Sequence, residues 1–148
     1  MSKHLDILLV EDNPQDAELA IHALKKCNLA NDIVHVRDGQ AALDFLFGAD
    51  AYAGRDLGCQ PKVVMLDLKL PKVDGLEVLR QIRAYERTRM LPVAVFTSSR
   101  EESDVREAWR LGVNSYIVKP VEFESFSEAV SSLGHYWLHL NETPIRES

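Results

Sequence analysis

The sequence has 148 residues, 46% hydrophobic and 27% charged, which is typical of a single globular domain. Seventeen basic and twenty-three acidic side chains give a net charge of −6, so we expect neither nucleic acid nor an anionic membrane as a partner. No apolar stretch approaches the roughly 20 residues of a membrane-spanning helix, and no signal peptide precedes the first predicted strand. Cys27 and Cys59 lack metal-ligand spacing. We therefore expect one cytoplasmic domain over residues 1–148.

The first half of the chain alternates short apolar runs with amphipathic segments. Strands are predicted at 5–10 and 32–36, and helices at 14–27 and 39–47. Pro14 suits the first position of a helix, and Asn13 suits its N-cap. A long loop with three glycines and one proline follows at 48–61. We assign no chemistry to this loop.

The second half continues the alternation. Strands are predicted at 62–67, 92–97 and 115–118, and the last helix begins near Val121. Asp74 to Glu77 and Ser99 to Glu102 have capping-box spacing and open the two helices between these strands. Apolar strands alternating with helices predict a parallel sheet with helices on both faces. The predicted fold class is a doubly wound α/β fold.

Polar side chains follow the predicted strands, at the edge where ligands bind in such sheets. They are Glu11, Asp12, Asp67, Thr97, Ser98 and Lys119. Two carboxylates about 5 Å apart repel each other by roughly 3 kcal/mol at an effective dielectric constant of 20, so this cluster requires a cation. Mg²⁺ prefers oxygen ligands and keeps several waters when it binds one or two carboxylates. The pattern predicts a magnesium site.

The same residues are suited to phosphoryl transfer. The metal, the Thr97 hydroxyl and the Lys119 ammonium would each meet one equatorial phosphoryl oxygen. One carboxylate must then act as the nucleophile and form an acyl phosphate. Asp67 is best placed, because it follows the central predicted strand.

Four motifs at predicted strand ends resemble those of the receiver domain of two-component response regulators. They are Leu9-Val-Glu-Asp-Asn13, Leu66-Asp-Leu-Lys-Leu-Pro71 with Asp74-Gly75, Phe96-Thr-Ser98 and Val118-Lys-Pro120. The resemblance implies the strand order 2-1-3-4-5, with a core at about 5–132 and an extension at about 133–148. It also implies a signalling protein rather than an enzyme.

The resemblance implies a role for each matching residue. Asp67 would accept a phosphoryl group from the phosphohistidine of a sensor histidine kinase. Mg²⁺ or Mn²⁺ would be held by Glu11, Asp12, Asp67 and the backbone carbonyl of Lys69. Thr97 would be the switch hydroxyl, Lys119 the phosphate contact and Tyr116 the aromatic switch. Pro120 matches a proline that usually follows a cis bond.

The 48–61 loop and the tail at 133–141 are similar to those of single-domain receivers that partner phytochromes. In that subgroup the last helix forms part of a homodimer interface. A heptad-like apolar stripe fits this expectation and comprises Phe123, Phe126, Val130, Leu133, Trp137 and Leu140. We expect either a symmetric dimer through this stripe or folding of the tail back onto its own domain.

Two other functions stay open. A magnesium-dependent phosphatase also uses an aspartyl nucleophile, but its second aspartate is replaced here by Lys69. A receiver-like module could instead bind proteins without ever accepting phosphate. Such a module is recognised by loss of the acids, the threonine or the lysine, all of which this chain keeps.

Overall fold

The computed structural model describes residues 5–26, 28–30 and 32–142. Five strands and five longer helices alternate along them. The strands are β1 (Ile7–Val10), β2 (Ile33–Val36), β3 (Val63–Leu66), β4 (Val93–Thr97) and β5 (Ser115–Val118). The helices are α1 (Pro14–Lys26), α2 (Gly39–Phe47), α3 (Gly75–Ala84), α4 (Glu102–Arg110) and α5 (Phe123–His135), with a 3₁₀ turn at Asp50–Tyr52 and a π-helical turn at Tyr136–Leu140.

All the strand pairs are parallel and form one sheet in the order β2-β1-β3-β4-β5. The predicted doubly wound α/β fold is therefore confirmed. Val10, the last residue of β1, is aligned with Val36 on one side and Leu66 on the other. Chain order reverses at β1 and β3, which is where ligands bind in folds of this kind.

The three central strands, β1, β3 and β4, are buried on both faces of the sheet. Successive residues point to opposite faces. Thus Leu8 and Val10 pack with α2 and α3 residues such as Leu46 and Leu79, whereas Ile7 packs with Leu24 and other residues of α1 and α5. Burial on both sides explains why these strands are apolar throughout.

Two of the predicted helix caps are present. The Asn13 side chain accepts hydrogen bonds from the backbone N–H groups of Gln15 and Asp16, and Asp74 accepts one from Glu77. The predicted cap of α4 is wrong: Glu101 occupies the N-cap position without a side-chain bond, and the Ser99 hydroxyl donates to Asp104 instead. The last helix begins at Phe123 rather than near Val121.

The apolar stripe of the last helix is divided between the domain core and the surface. Phe126, Val130 and Leu133 are buried against the sheet and α1, so the expectation that they contact a dimer partner is wrong. Phe123 and Leu140 are 59% and 60% exposed. The π-helical turn prolongs α5, and Trp137 within it packs partly on the domain core.

Gly134 explains how α5 lies so close to α1. A Cβ atom at this position would be 2.6 Å from Cδ2 of Leu24. The missing side chain therefore allows close helix packing, and the helix continues through the glycine without a break.

Arg55 organises the loop at 48–61. Its guanidinium donates to the carbonyls of Phe45 and Cys59 at 2.7 and 2.8 Å, and to Oε1 of Gln60 at 2.8 Å. It also lies over the Phe45 ring, 3.9 Å from the centroid. The loop is thus held against the end of α2. Cys59 is half-buried here, whereas Cys27 lies outside the described residues.

Two further expectations concern the peptide bond before Pro120 and membrane-spanning helices. Every described peptide bond is trans, including the bond before Pro120, so the cis bond implied by the resemblance is wrong. The trans isomer is also the intrinsically favoured form of such bonds. In the described part of the chain, no helix combines the length and apolar character needed to cross a membrane.

Candidate functional site

Three carboxylates meet where β1 and β3 end. Glu11 and Asp12 follow β1 directly, and Asp67 follows β3. The Asp67 N–H donates to the carbonyl of Val10 at 3.1 Å, which fixes the two strand ends side by side. Each acid offers an oxygen within 4.8 Å of the others; Glu11 and Asp67 are buried, whereas Asp12 is exposed.

Lys119 supplies a cation to this cluster. Its buried Nζ lies 2.8 Å from Oε1 of Glu11 and 3.0 Å from Oδ2 of Asp67. A third carboxylate, Oδ2 of Asp16, lies 2.9 Å from the same nitrogen. Asp16 belongs to the first turn of α1 and was not predicted as a site residue. The sequence offered one signal for its role, which is that Asp16 lies at the start of a helix that follows Glu11 and Asp12.

Burial and charge act in opposite directions on this cluster. Burial raises the pKa of Glu11 to about 7, against the hydrogen bond and charge of Lys119, while the charge of Asp67 also raises it. Burial lowers the pKa of Lys119, but its hydrogen bonds to Glu11 and Asp16 and the charge of Asp67 more than compensate and hold that pKa above its usual value. The ammonium is therefore retained in the site.

Thr97 and Lys69 lie at the neighbouring strand ends. Thr97 ends β4 and is fully buried; its hydroxyl oxygen accepts a hydrogen bond from Ser99 N–H at 3.3 Å. Its carbonyl accepts from Lys119 N–H at 2.7 Å. The Lys69 N–H donates to Oδ1 of Asp67 at 3.3 Å. The backbone after β3 thus bends around the Asp67 carboxylate.

Tyr116 on β5 is half-buried, and its hydroxyl donates to the carbonyl of Ser99 at 3.0 Å. The Ser99 hydroxyl in turn donates to Oδ2 of Asp104 at 2.5 Å. The Lys69 ammonium lies 3.1 Å from that same oxygen. Asp104 was not identified from the sequence, because an acid in the first turn of a polar helix is ordinarily a solvated residue.

The donor set fits a hard divalent cation. Three carboxylates from Glu11, Asp12 and Asp67 converge, and Mg²⁺ binds oxygen ligands of this type. The exposed Asp12 leaves the cluster open toward solvent, so waters and a phosphoryl oxygen could complete the coordination. We infer from the chemistry of these ligands that Mg²⁺ or Mn²⁺ suits the cluster.

Comparison with known proteins gives relatives over nearly the whole chain. The sequence is 46% identical over 138 residues to the probable methanogenesis regulatory protein FilR2 of Methanothrix harundinacea (strain 6Ac), covering 93% of this chain and 86% of FilR2. It is 35% identical over 138 residues to the response regulator Rcp1 of Synechocystis sp. (strain ATCC 27184 / PCC 6803 / Kazusa), covering 93% and 92% of the two chains.

Solved structures show the same fold. The phosphorylated cyanobacterial phytochrome response regulator RcpA superposes with a TM-score of 0.89 at 34% identity, covering 96% of this chain and 99% of RcpA. The Mn²⁺-bound form of Rcp1 gives 0.87 at 34% identity, covering 95% and 99%. The bacteriophytochrome response regulator AtBRR is 52% identical with a TM-score of 0.74, covering 95% and 100%.

The profile of the response regulator receiver domain matches residues 7–131. This range includes β1 through most of α5, and with it all the strand ends that carry the acidic cluster, Thr97 and Lys119. The chain therefore belongs to the response regulator receiver domain family.

Proposed function

We propose that the chain is a stand-alone response regulator that accepts a phosphoryl group from a histidine kinase on Asp67 and then changes its protein contacts. The observation that carries the proposal is the buried Asp67 carboxylate, bonded to Lys119 within a cluster of three acids. The match to the response regulators Rcp1 and RcpA over almost their full lengths supports the proposal.

In the proposed reaction, an oxygen of Asp67 attacks phosphorus and the phosphorus–nitrogen bond of the phosphohistidine breaks. Lys119 lies beside Asp67 and would contact one phosphoryl oxygen, while the Thr97 hydroxyl would donate to another. A divalent cation held by Glu11, Asp12, Asp67 and the carbonyl of Lys69 would offset the remaining negative charge. These groups balance the charge that develops around phosphorus.

The conformational part of the proposal involves Thr97 and Tyr116. A phosphoryl group on Asp67 would attract the Thr97 hydroxyl and move the β4–α4 segment that begins with Ser98. The Tyr116 hydroxyl donates a hydrogen bond to the Ser99 carbonyl in that segment. When the segment moves, this hydrogen bond would break and the Tyr116 hydroxyl would change its partner. The face formed by α4, β5 and α5 would then change its shape for partners.

The test is phosphorylation by acetyl phosphate with Mg²⁺, followed by intact mass and Phos-tag mobility. We expect a phosphoryl adduct on the wild type and none on Asp67→Asn or after addition of EDTA. If the wild type gives no adduct, we would add beryllofluoride with Mg²⁺ and record tryptophan fluorescence. The absence of both an adduct and a fluorescence change would refute the proposal and favour a phosphate-independent binding module.

We also propose a cognate kinase, a cellular location and a homodimer interface. The relatives RcpA and AtBRR are a phytochrome and a bacteriophytochrome response regulator, which supports a phytochrome as the cognate kinase. We propose the cytoplasm as the location. A homodimer would use the exposed Phe123 and Leu140 of the C-terminal stripe together with the partly buried Trp137. Sedimentation of Leu140→Asp should then show a weaker monomer–dimer equilibrium than the wild type. Equal constants for the two proteins would contradict this interface.

A further inference from the structure

Asp104 is buried although it belongs to a polar helix. It is 9% exposed, and Ala108 is the other buried residue of α4. One carboxylate oxygen, Oδ2, receives both the Ser99 hydroxyl hydrogen bond at 2.5 Å and the Lys69 ammonium at 3.1 Å. The start of α4 is therefore attached to the domain largely by polar contacts rather than by apolar packing.

The two partners of Asp104 belong to the segments that surround Asp67. Lys69 follows Asp67 by two residues and its N–H donates to the Asp67 carboxylate. The N–H of Ser99 donates to the hydroxyl of Thr97. Asp104 thus joins the segment after β3 to the segment after β4, across the phosphorylation site.

An open groove of about 570 Å³ lies along this connection. Asp12, Lys69 and Asp104 line it, together with the apolar side chains of Leu70 and Leu76. A phosphodonor needs an open path to the buried Asp67, and this groove opens beside its neighbours Leu68 and Lys69. A donor that reached Asp67 through this groove would have its leaving group near Lys69 and Asp104.

We propose that Asp104 is a positioning residue that selects the phosphodonor by the charge of its leaving group. It does so by holding and neutralising the ammonium of Lys69 at the groove. This inference rests on the proposed function, because it requires Asp67 to be phosphorylated. Without the Asp104 carboxylate, the Lys69 ammonium is unpaired; it then attracts an anionic leaving group and repels a protonated amine.

Two small donors separate these effects. With acetyl phosphate, an oxygen of Asp67 bonds to phosphorus, the bridging P–O bond breaks, and acetate departs with its negative charge. With phosphoramidate, the same bond forms, the P–N bond breaks, and the nitrogen, already protonated, departs as ammonia. Both reactions give the same aspartyl phosphate, so a change in the ratio of their rates between variants reports on how the site treats two donors that differ in the charge of the departing group.

The experiment measures the ratio of the acetyl phosphate rate to the phosphoramidate rate by intact mass, with saturating Mg²⁺. We expect Asp104→Asn to raise this ratio about twofold to fivefold at low salt, since one partly exposed charge has an effect of that size. The increase should shrink in concentrated salt, which screens charges. Lys69→Met should lower the ratio below that of the wild type, because the Asp104 carboxylate is then unpaired.

The double variant separates an electrostatic role from a structural one. In the Lys69→Met background, Asp104→Asn should no longer raise the ratio above that of the wild type. Glu102→Gln removes the same charge from the exposed side of α4, where its partner is Arg106, and should leave the ratio unchanged. Should Asp104→Asn not fold, Lys69→Met alone decides the sign.

Several outcomes would overturn the inference. An unchanged ratio in Asp104→Asn, an equal fall of both rates, or a double variant whose ratio exceeds that of the wild type as much as Asp104→Asn does would each do so while leaving the proposed function intact. Absence of any adduct on the wild type with both donors would instead overturn the proposed function, and this inference with it.

Discussion

The ammonium of Lys119 lies 2.9 Å from a carboxylate oxygen of Asp16, which belongs to α1. The same ammonium also binds Glu11 and Asp67, two of the three carboxylates suited to a metal ion. A metal on those two acids competes with Lys119 for them. Asp16 then offers the ammonium an anionic partner that does not belong to the metal cluster.

We therefore expect Asp16→Asn to weaken Mg²⁺ binding. Without Asp16, Lys119 depends on Glu11 and Asp67 and competes more strongly with the metal for their oxygens. The expected loss is about fivefold in affinity, as for a partly exposed charge pair of about 1 kcal/mol. Isothermal titration calorimetry at low ionic strength measures it. Glu18→Gln, an exposed change in the same helix, is the control, and equal losses in both variants would contradict the prediction.

Mg²⁺ binding should tighten as pH rises through 7. The pKa of Glu11 is raised to about 7, so much of this carboxyl is protonated below pH 7, and its proton must leave before the oxygen can bind a metal. The expected gain in affinity from pH 6 to pH 8 is about tenfold. In Glu11→Gln the affinity should be lower and nearly independent of pH over this range. A wild type without pH dependence would contradict this assignment.

The stability of the metal-free protein should change in the opposite direction. The folded pKa of Glu11 lies above the ordinary value of 4.5, so the folded state binds the proton more tightly than the unfolded state. This contribution to stability is present in full below pH 4.5 and is lost as pH rises through 7. Urea unfolding in EDTA should show that loss in the wild type and a smaller one in Glu11→Gln.

Gly75 lies close to the backbone at Asp67, the proposed phosphorylation site. A Cβ atom there would lie 2.3 Å from the carbonyl oxygen of Asp67 and 2.5 Å from Cα of Leu68. Backbone atoms cannot move aside as a flexible side chain can, so Gly75→Ala should lower the free energy of unfolding by about 2 kcal/mol and slow phosphorylation of Asp67. Urea unfolding and the acetyl phosphate assay measure the two effects.

Gly58→Ala is the matched control for Gly75→Ala. Its added Cβ would meet the flexible Asp56 carboxylate, at 3.1 Å, and no backbone atom within 4 Å. We expect little change in stability or phosphorylation rate. Similar losses in both variants would show that the close approach at Gly75 does not control the site.

Arg55 should stabilise the loop at 48–61, for which the sequence predicts no function. Arg55→Ala removes hydrogen bonds to the carbonyls of Phe45 and Cys59 and the contact with the Phe45 ring. The expected loss is about 2 kcal/mol in the free energy of unfolding. Urea unfolding measures it, with Arg87→Ala on the exposed surface as the control. A loss below about 0.5 kcal/mol would mean that the loop is held by other contacts.

The sequence by itself determined the α/β class and the edge of the sheet that carries the site. The apolar runs at 62–67 and 92–97 match strands buried on both faces, and polar residues follow them because parallel strands end at one edge. Family motifs added the strand order, which the structure confirms. The roles of Asp67, Thr97 and Tyr116 stay predictions that the phosphorylation experiments test.

Only the tertiary structure decided which charges pair and which apolar residues are covered. Asp16 and Asp104 are separated from their partners by up to 103 residues along the chain, and no local pattern distinguishes them from solvated helix acids. The stripe of α5 had the spacing of a partner surface, yet Phe126, Val130 and Leu133 are buried in the domain itself. Helical periodicity fixes which side chains share a face, but what that face packs against depends on how the helices pack on the sheet.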